Sequence, residues 1–203
     1  MRKIIGLVGT NSIKSTNRQL LQFIQKHFDD KAEIELLEIK DLPMFNKPKE
    51  MKIPNLAKEM ARKIEEADGV IISTPEYDHA SPAVLMNAIA WLSYGIYPFL
   101  NKPVVITGAS YGTLGTSRAQ SQLARILNAP EVRARIMPGN EFLLSHSLEA
   151  FDENGNIKNE KQVKSLEQIF DDFLLFIDFT EQLVEAKKKA EKEAKNFSWE
   201  KSK

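Results

Sequence analysis

Many of the residues best suited to chemistry lie in one short loop, "GTNSIKSTN" at residues 9–17, which follows an apolar run and precedes a helical pattern. Its hydroxyl and amide side chains are Thr10, Asn11, Ser12, Ser15, Thr16 and Asn17. Unpaired N–H groups and the dipole at the start of a helix favour a bound anion, so the loop is a candidate phosphate site. The alternative is that Ser15 or Thr16 only caps the following helix. The loop by itself leaves both interpretations open.

The run Lys14-Ser15-Thr16 invites comparison with the P-loop of nucleoside-triphosphate hydrolases. That motif requires a glycine, four residues of any type, and then Gly-Lys-Ser/Thr. Here no second glycine stands between Gly9 and Lys14. The spacing therefore excludes a triphosphate P-loop.

Two further loops also follow apolar runs. The segment "TPEYDHASP", residues 74–82, offers polar edges and an aromatic ring that suit a flat heterocycle. The segment "GASYGTLGTSR", residues 108–118, contains glycines that let a ligand approach the backbone closely. These glycines do not form G-x-G-x-x-G, which disfavours a Rossmann dinucleotide site.

The elements that must position these loops alternate between strand-like and helix-like patterns. Strands are predicted at residues 3–8, 33–39, 69–75, 103–110 and 134–139. Helices are predicted at residues 17–28, 55–68, 82–94, 115–128 and from 160 to about 184. Apolar strands separated by helices indicate an α/β fold, a parallel sheet with helices on both faces. Ligands bind at the carboxyl ends of such strands, where the three loops would meet.

Composition limits the classes of function. The 203 residues are 42% hydrophobic, which predicts one domain at residues 1–184. The charged tail at 185–203 is predicted as a solvated, frayed helix end, with partner binding as the alternative. Lys plus Arg and Asp plus Glu both number 28, so nothing in the net charge attracts nucleic acid or an anionic membrane.

The sequence lacks the patterns of a metal site, a membrane span and a signal peptide. There is no cysteine, and the three histidines are scattered, so we expect no metal site. No apolar window approaches the roughly 18 residues of a membrane span, and the first residues lack a signal-peptide pattern. We therefore expect a soluble cytoplasmic protein.

Together the three loops resemble the NAD(P)H-dependent FMN reductase family over about residues 3–145. The segment "GTNSIKSTNRQLL" resembles the family's Gly-Ser-x-Arg-x-x-Ser-x-Asn loop, "TPEYDHASPAVLMNAIAWLS" its Pro-Glu-Tyr-Asn segment, and "GASYGTLGTSRAQSQL" its glycine loop. The resemblance implies a flavodoxin-like three-layer sandwich, with a five-stranded parallel sheet in the order 2-1-3-4-5. It also implies bound FMN, with NAD(P)H as co-substrate.

The same resemblance implies a set of cofactor-binding residues. The FMN phosphate would be surrounded by Thr10, Ser12, Ser15, Thr16 and Asn17. The flavin ring would be bordered by Pro75, Glu76, Tyr77 and Asp78, and covered by Ser110, Tyr111 and Gly112. Because the cofactor carries the chemistry, no catalytic acid or base is assigned.

Two positions depart from the family pattern. Ser12 stands where the family usually has arginine, which leaves Lys14 as the only nearby cation. Asp78 stands where the family usually has asparagine, near the pyrimidine edge of the flavin. A carboxylate there would make reduction harder, so Asp78→Asn is predicted to raise the midpoint potential by tens of millivolts. The alternative is that Asp78 only caps a turn and leaves the potential unchanged.

The implied function is transfer of a hydride from NAD(P)H to bound FMN and then to a flavin, quinone or azo acceptor. Alternatives are a flavodoxin-like electron carrier and a non-catalytic subunit of a larger redox complex. Carriers are commonly acidic, so the neutral composition favours the enzyme. The resemblance also implies a homodimer, or a homotetramer, with contacts through the helix at residues 82–94 and the segment "YGIYPF".

Overall fold

The computed structural model describes residues 1–139 and 141–196 of the chain. Its strands are β1 Arg2–Val8, β2 Ala32–Glu38, β3 Gly69–Ser73, β4 Pro103–Ala109, β5 Arg135–Ile136 and β6 Phe142–Leu144. Its helices are α1 Thr16–His27, α2 Asn55–Glu66, α3 Ala83–Trp91, α4 Ser117–Leu127 and α5 Glu160–Asn196, with a short 3-10 helix at Lys49–Met51. The alternation of strands and helices is the predicted one.

The strands form one parallel sheet in the order β2-β1-β3-β4-β5, with β6 also paired to β4. Every residue of β3 and β4 is buried, as expected for strands covered on both faces. One hydrophobic cluster joins the sheet to α2, α3 and α4, and a second joins it to α1 and α5. The predicted flavodoxin-like three-layer sandwich is confirmed.

The edge of the sheet beyond β4 differs from the prediction of one strand at residues 134–139. β5 has only two residues, which pair with the start of β4. Pro138 then lacks an N–H donor, and Gly139 has a φ of 82°, so the ladder is interrupted. The chain rejoins the sheet as β6, which pairs with the end of β4. The fifth strand is thus split in two.

The last helix continues into the charged run that was predicted as a solvated helix end. It passes residue 184 without a break and continues to Asn196, and residues 185–192 are all exposed. The described part of the charged tail is therefore a solvated continuation of α5, whereas residues 197–203 lie outside the described residues. The division into a domain and a tail stays a prediction. None of the helices in the described residues combines the length and apolar content that a membrane crossing requires.

The sheet brings the three polar loops to one edge because its strands are parallel. The loop after β1 is tied to β3, since Gly9 N–H donates to the Ser73 carbonyl at 2.8 Å. The loop after β3 is tied to β4 by Thr74 N–H and the Thr107 carbonyl at 3.0 Å. Ser110 N–H, after β4, donates to the Leu144 carbonyl at 3.0 Å. The fold thereby places three distant segments around one opening.

Candidate functional site

The three loops line a single cleft of about 530 Å³. Its walls are formed by Ser12, Lys14, Ser15, Thr16, Asn17, Pro75, Glu76, Tyr77, Ala109, Ser110, Tyr111, Gly112, Thr113, Leu114 and Arg118. The structure thus brings together all the sequence-predicted site residues except Thr10 and Asp78. A volume of this size lies within the range of small-molecule and cofactor pockets, about 300–1,000 Å³.

One end of the cleft is the amino terminus of α1. Ser15 is its N-cap, with a φ of −135°, and Ser15 Oγ accepts a hydrogen bond from Arg18 N–H at 3.3 Å. Thr16 and Asn17 are the first two helical residues, whose N–H groups have no carbonyl within the helix to bond. The capping interpretation is confirmed, and it is compatible with anion binding because the Ser15 hydroxyl accepts in the cap and can still donate its proton.

Arg18 braces this loop, and the sequence interpretation overlooked it. Its Nε and Nη2 atoms donate to the Glu38 carboxylate at 2.6 and 2.8 Å. Its Nη1 atom donates to the carbonyls of Ser12 and Ile13 at 2.6 and 3.1 Å. The bonds to Glu38 raise the pKa of Arg18 above its ordinary value, so the guanidinium is charged. Lys14 is therefore not the only nearby cation, although the charge of Arg18 is balanced by Glu38.

Asn17 and Thr16 fasten the start of α1 to the sheet. Asn17 Nδ2 donates to the Ala109 carbonyl at 2.8 Å, and its Oδ1 accepts from Ala109 N–H and Ser73 Oγ, each at 2.9 Å. Thr16 Oγ1 lies 2.8 Å from Ser147 Oγ, and both hydroxyls are buried. Because these hydrogen bonds occupy the Asn17 side chain, a bound ligand would contact the backbone N–H of Asn17 and not its side chain. Ser147 lies far beyond the predicted loops, and no sequence signal marked it.

The loop after β3 contains a tight two-residue turn. Tyr77 and Ala80 exchange two backbone hydrogen bonds of 3.0 Å, and the residues between them, Asp78 and His79, have φ values of 48° and 67°. Two positive φ angles are typical of a type I′ turn, in which Asp and Asn are both well tolerated at the first central position. Asp78 is exposed on this turn, outside the lining of the cleft. Its position agrees with the turn alternative.

Thr10 supports the cleft from beneath its surface. The residue is fully buried, and its Oγ1 accepts a hydrogen bond from Ser12 N–H at 3.1 Å. The same oxygen lies 3.4 Å from the Tyr77 hydroxyl. Thr10 therefore links the first loop to the second. Its partners Ser12 and Tyr77 line the cleft, whereas Thr10 itself does not.

Glu76 joins the second loop to the third. Its carboxylate accepts from Arg118 Nε at 2.7 Å, and from the backbone N–H groups of Arg118 and Ala119 at 3.1 and 3.2 Å. The N-cap residue of α4, Thr116, has a φ of 72° and makes no capping bond with its side chain. Glu76 supplies that cap from another loop, and so fixes the start of α4 at the cleft.

The glycines of the third loop have different roles. A Cβ on Gly108 would lie 1.9 Å from Thr116 Oγ1, and Gly115 has a φ of 54° with a Cβ position 2.6 Å from Leu143 Cβ. Both glycines are therefore required by packing. A Cβ on Gly112 would meet no protein atom within 4 Å. Gly112 leaves space at the wall of the cleft.

The donor set and the walls suit a phosphorylated planar cofactor such as FMN. At one end lie the Ser15 hydroxyl and the backbone N–H groups of Thr16 and Asn17, which have no hydrogen-bond partner within the helix. Lys14 lines the same end of the cleft. Tyr77 and Tyr111 are 50% and 60% exposed, so their rings remain available to a flat ligand or substrate. The residues present fit an anionic group at α1 and an aromatic system beside the two later loops.

Comparisons with known proteins agree with this site. The family model described as NADPH-dependent FMN reductase matches residues 2–149. The subunit CrdA of the NADH:(hydroxy)cinnamate reductase of Vibrio ruber is 46% identical over 196 residues, covering 97% of this chain and 96% of CrdA. Subunit 2 of the NADH-dependent flavin reductase of Lactobacillus johnsonii is 40% identical, covering 87% of this chain and 97% of its own.

A solved structure of a flavoenzyme is also similar to this chain in both fold and sequence. FerB, a flavoenzyme NAD(P)H:(acceptor) oxidoreductase from Paracoccus denitrificans, aligns with a TM-score of 0.78 and 30% identity, over 90% of this chain and 98% of FerB. The chain therefore belongs to the NADPH-dependent FMN reductase family, and it is an oxidoreductase that uses FMN and NAD(P)H, as the three loop motifs predicted.

Proposed function

We propose that FMN binds in the cleft with its phosphate at the start of α1 and its ring beside the loops after β3 and β4. The observation that carries this proposal is the position of Ser15, which caps α1 where the helix opens into the cleft. The N–H groups of Thr16 and Asn17, the Ser15 hydroxyl and Lys14 would hold the phosphate. Each hydrogen bond to the charged group would contribute about 1.5–3 kcal/mol.

The remaining residues position the ring. Pro75, Glu76 and Tyr77 form one side of the cleft, and Ser110, Tyr111 and Gly112 form the other. Glu76 is occupied by Arg118 and α4, so its role is to hold the two loops together. When bound, FMN supplies the redox chemistry by accepting a hydride from NAD(P)H and passing the electrons to a second substrate.

The second substrate is proposed to be a flat aromatic electron acceptor, either a flavin, a quinone or an azo compound. The exposed rings of Tyr77 and Tyr111 offer stacking surfaces to such molecules. Arg118 lies in the cleft wall, but its charge is balanced by Glu76. It would therefore not restrict the site to negatively charged acceptors. The names of the relatives, which refer to flavin and hydroxycinnamate reduction, are in keeping with a broad class of planar acceptors.

A role as the reductase component of a larger enzyme is the second candidate, because both relatives are named as subunits.

Self-association as a homodimer is also proposed. Trp91, from the predicted interface helix, lies in the core and donates to the Pro43 carbonyl at 2.7 Å. Tyr97 and Leu100 nearby are 53% and 46% exposed, and would be the contacts of that face. The proposed location is the cytoplasm, where NAD(P)H is supplied.

Steady-state oxidation of NADH and NADPH tests the proposal. The purified chain, reconstituted with FMN, is assayed with free FMN, a benzoquinone, an azo dye and a hydroxycinnamate as separate acceptors. We expect turnover with at least the flavin and the quinone. Rapid reduction of bound FMN without turnover on any acceptor would instead support a reductase component whose acceptor is another protein.

A further inference from the structure

Residues 145–147, which directly follow β6, are hydrogen-bonded to the third loop of the cleft. The N–H groups of His146 and Ser147 donate to the carbonyls of Gly112 and Ser110 at 3.0 and 2.9 Å. Gly112 and Ser110 line the cleft, whereas residues 145–147 do not. The third loop is therefore held in place by a segment that lies outside the cleft.

Ser147 also contacts the start of α1. Its Oγ atom lies 2.8 Å from Oγ1 of Thr16, the first residue of that helix. Ser147 is 1% exposed and Thr16 is 8% exposed, so the hydrogen bond between the two hydroxyls is shielded from water. Ser147 thus binds the start of α1 through its side chain and the third loop through its backbone N–H.

The direction of the hydrogen bond between the two hydroxyls decides what Thr16 offers to the cleft that it lines. Each hydroxyl has one proton to donate and can also accept. If Thr16 donates to Ser147, the Thr16 oxygen has only lone pairs left, and these repel an anion. If Ser147 donates to Thr16, the Thr16 proton is free for a ligand. An anion at the start of α1 stabilises the second arrangement, because it accepts that proton in a charge-assisted hydrogen bond.

We propose that Ser147 is a positioning residue for the phosphate of FMN. By donating its hydroxyl proton to Thr16 Oγ1, it leaves the Thr16 hydroxyl to donate to the phosphate. This inference rests on the proposed phosphate site at the start of α1, and it adds to that site a residue from outside the three loops. Ser147 acts through Thr16, since its own side chain does not line the cleft.

The attachment of α1 to the sheet does not depend on this pair of hydroxyls alone. The Asn17 side chain makes three hydrogen bonds of 2.8–2.9 Å to Ala109 and Ser73, at the ends of β4 and β3. Removing the Ser147 hydroxyl should therefore leave the start of α1 in place and change only the hydrogen bonding of Thr16. A purely structural role would instead weaken the binding of every flavin, with or without a phosphate.

Calorimetric titration with FMN and with riboflavin, which has no phosphate, tests the proposal. Ser147→Ala is expected to weaken FMN binding about five- to tenfold and riboflavin binding less than about twofold. The matched control is Ser145→Ala, which removes a hydroxyl of the same segment that donates to the Thr113 carbonyl at 2.6 Å. Its preference for FMN over riboflavin should equal that of the unmodified protein.

A double variant tests whether Ser147 acts through Thr16. Thr16→Val removes the hydroxyl but keeps the shape of the side chain, and it should lower the preference for FMN at least as much as Ser147→Ala does. Adding Ser147→Ala to Thr16→Val should lower the preference no further, because the hydroxyl that Ser147 positions is already absent.

Two results would overturn the role of Ser147 and leave the phosphate site standing. One is equal weakening of FMN and riboflavin binding by Ser147→Ala, and the other is a full additional loss of the FMN preference in the double variant. If the unmodified protein binds riboflavin as tightly as FMN, the proposed phosphate site fails, and the role of Ser147 fails with it.

Discussion

Glu76 reaches from the loop after β3 to hold Arg118 at the start of α4, with Oε1 2.7 Å from Arg118 Nε. The carboxylate side chain is 8% exposed and the arginine 44% exposed. The same carboxylate accepts the backbone N–H groups of Arg118 and Ala119. One side chain therefore caps a helix and links two of the three loops that line the cleft.

Replacing Glu76 is expected to cost more stability than replacing its partner. Glu76→Ala removes every hydrogen bond to the carboxylate and leaves the first N–H groups of α4 without a cap, so the free energy of unfolding should fall by about 2–3 kcal/mol. Arg118→Ala keeps the backbone bonds to Glu76, and should cost about 1 kcal/mol. Urea unfolding of both variants without FMN measures the difference. A larger loss in Arg118→Ala would contradict the capping role.

Ser15 is expected to act on the phosphate as well as on the helix. Ser15→Ala should weaken FMN binding by about 1–3 kcal/mol, or roughly five- to 150-fold, with little change for riboflavin, which has no phosphate. It should also lower stability by about 1 kcal/mol through the lost cap.

The matched control is Ser15→Asp, which keeps a good N-cap but places a negative charge at the proposed phosphate site. It should unfold like the unmodified protein and bind FMN more weakly than Ser15→Ala does. Calorimetric titration with FMN and riboflavin measures both. Equal losses for the two ligands would show that the phosphate lies elsewhere.

The structure changes the expectation for Asp78. Its exposed position on the type I′ turn separates it from the cleft lining, and Asn suits such a turn as well as Asp. We therefore expect Asp78→Asn to move the midpoint potential of bound FMN by less than about 10 mV, where 30 mV corresponds to about 1.4 kcal/mol. Spectroelectrochemical titration of both proteins at one pH is the measurement. An upward shift of tens of millivolts would restore the electrostatic role inferred from the sequence.

Gly112 and Gly108 are expected to respond differently to the same change. A Cβ on Gly112 meets no protein atom, so Gly112→Ala should leave stability unchanged or raise it by about 0.4–1 kcal/mol. The added methyl group should nevertheless weaken FMN binding if the ring lies against this loop. Gly108→Ala should destabilise the fold, because its Cβ would overlap Thr116 and the Thr74 carbonyl. Thermal unfolding and FMN titration of both variants test this contrast, and unchanged FMN affinity in Gly112→Ala would place the ring elsewhere.

Local patterns in the sequence predicted the alternation of strands and helices and the three polar loops, and the family resemblance implied the strand order and most of the residues that line the cleft. They did not reveal Arg18–Glu38, Glu76 with α4, or Thr16–Ser147, because each pair joins residues far apart in the chain. β6 was missed because three residues are too few to show a periodicity. The amphipathic pattern of α5 ends near residue 184, and the charged run after it was predicted as a solvated helix end, which agrees with the exposed helical residues 185–192.

The most direct test of a flavin site that accepts hydride is anaerobic mixing of the FMN-bound protein with NADH or NADPH while the visible absorbance of the flavin is recorded. We predict rapid bleaching by at least one nucleotide in the unmodified protein. The Ser15→Asp variant, mixed with equimolar FMN, should bleach far less because little of its flavin is bound. If the unmodified protein holds FMN but neither nucleotide bleaches it, the chain is an electron carrier, and the proposed hydride transfer in this cleft is contradicted.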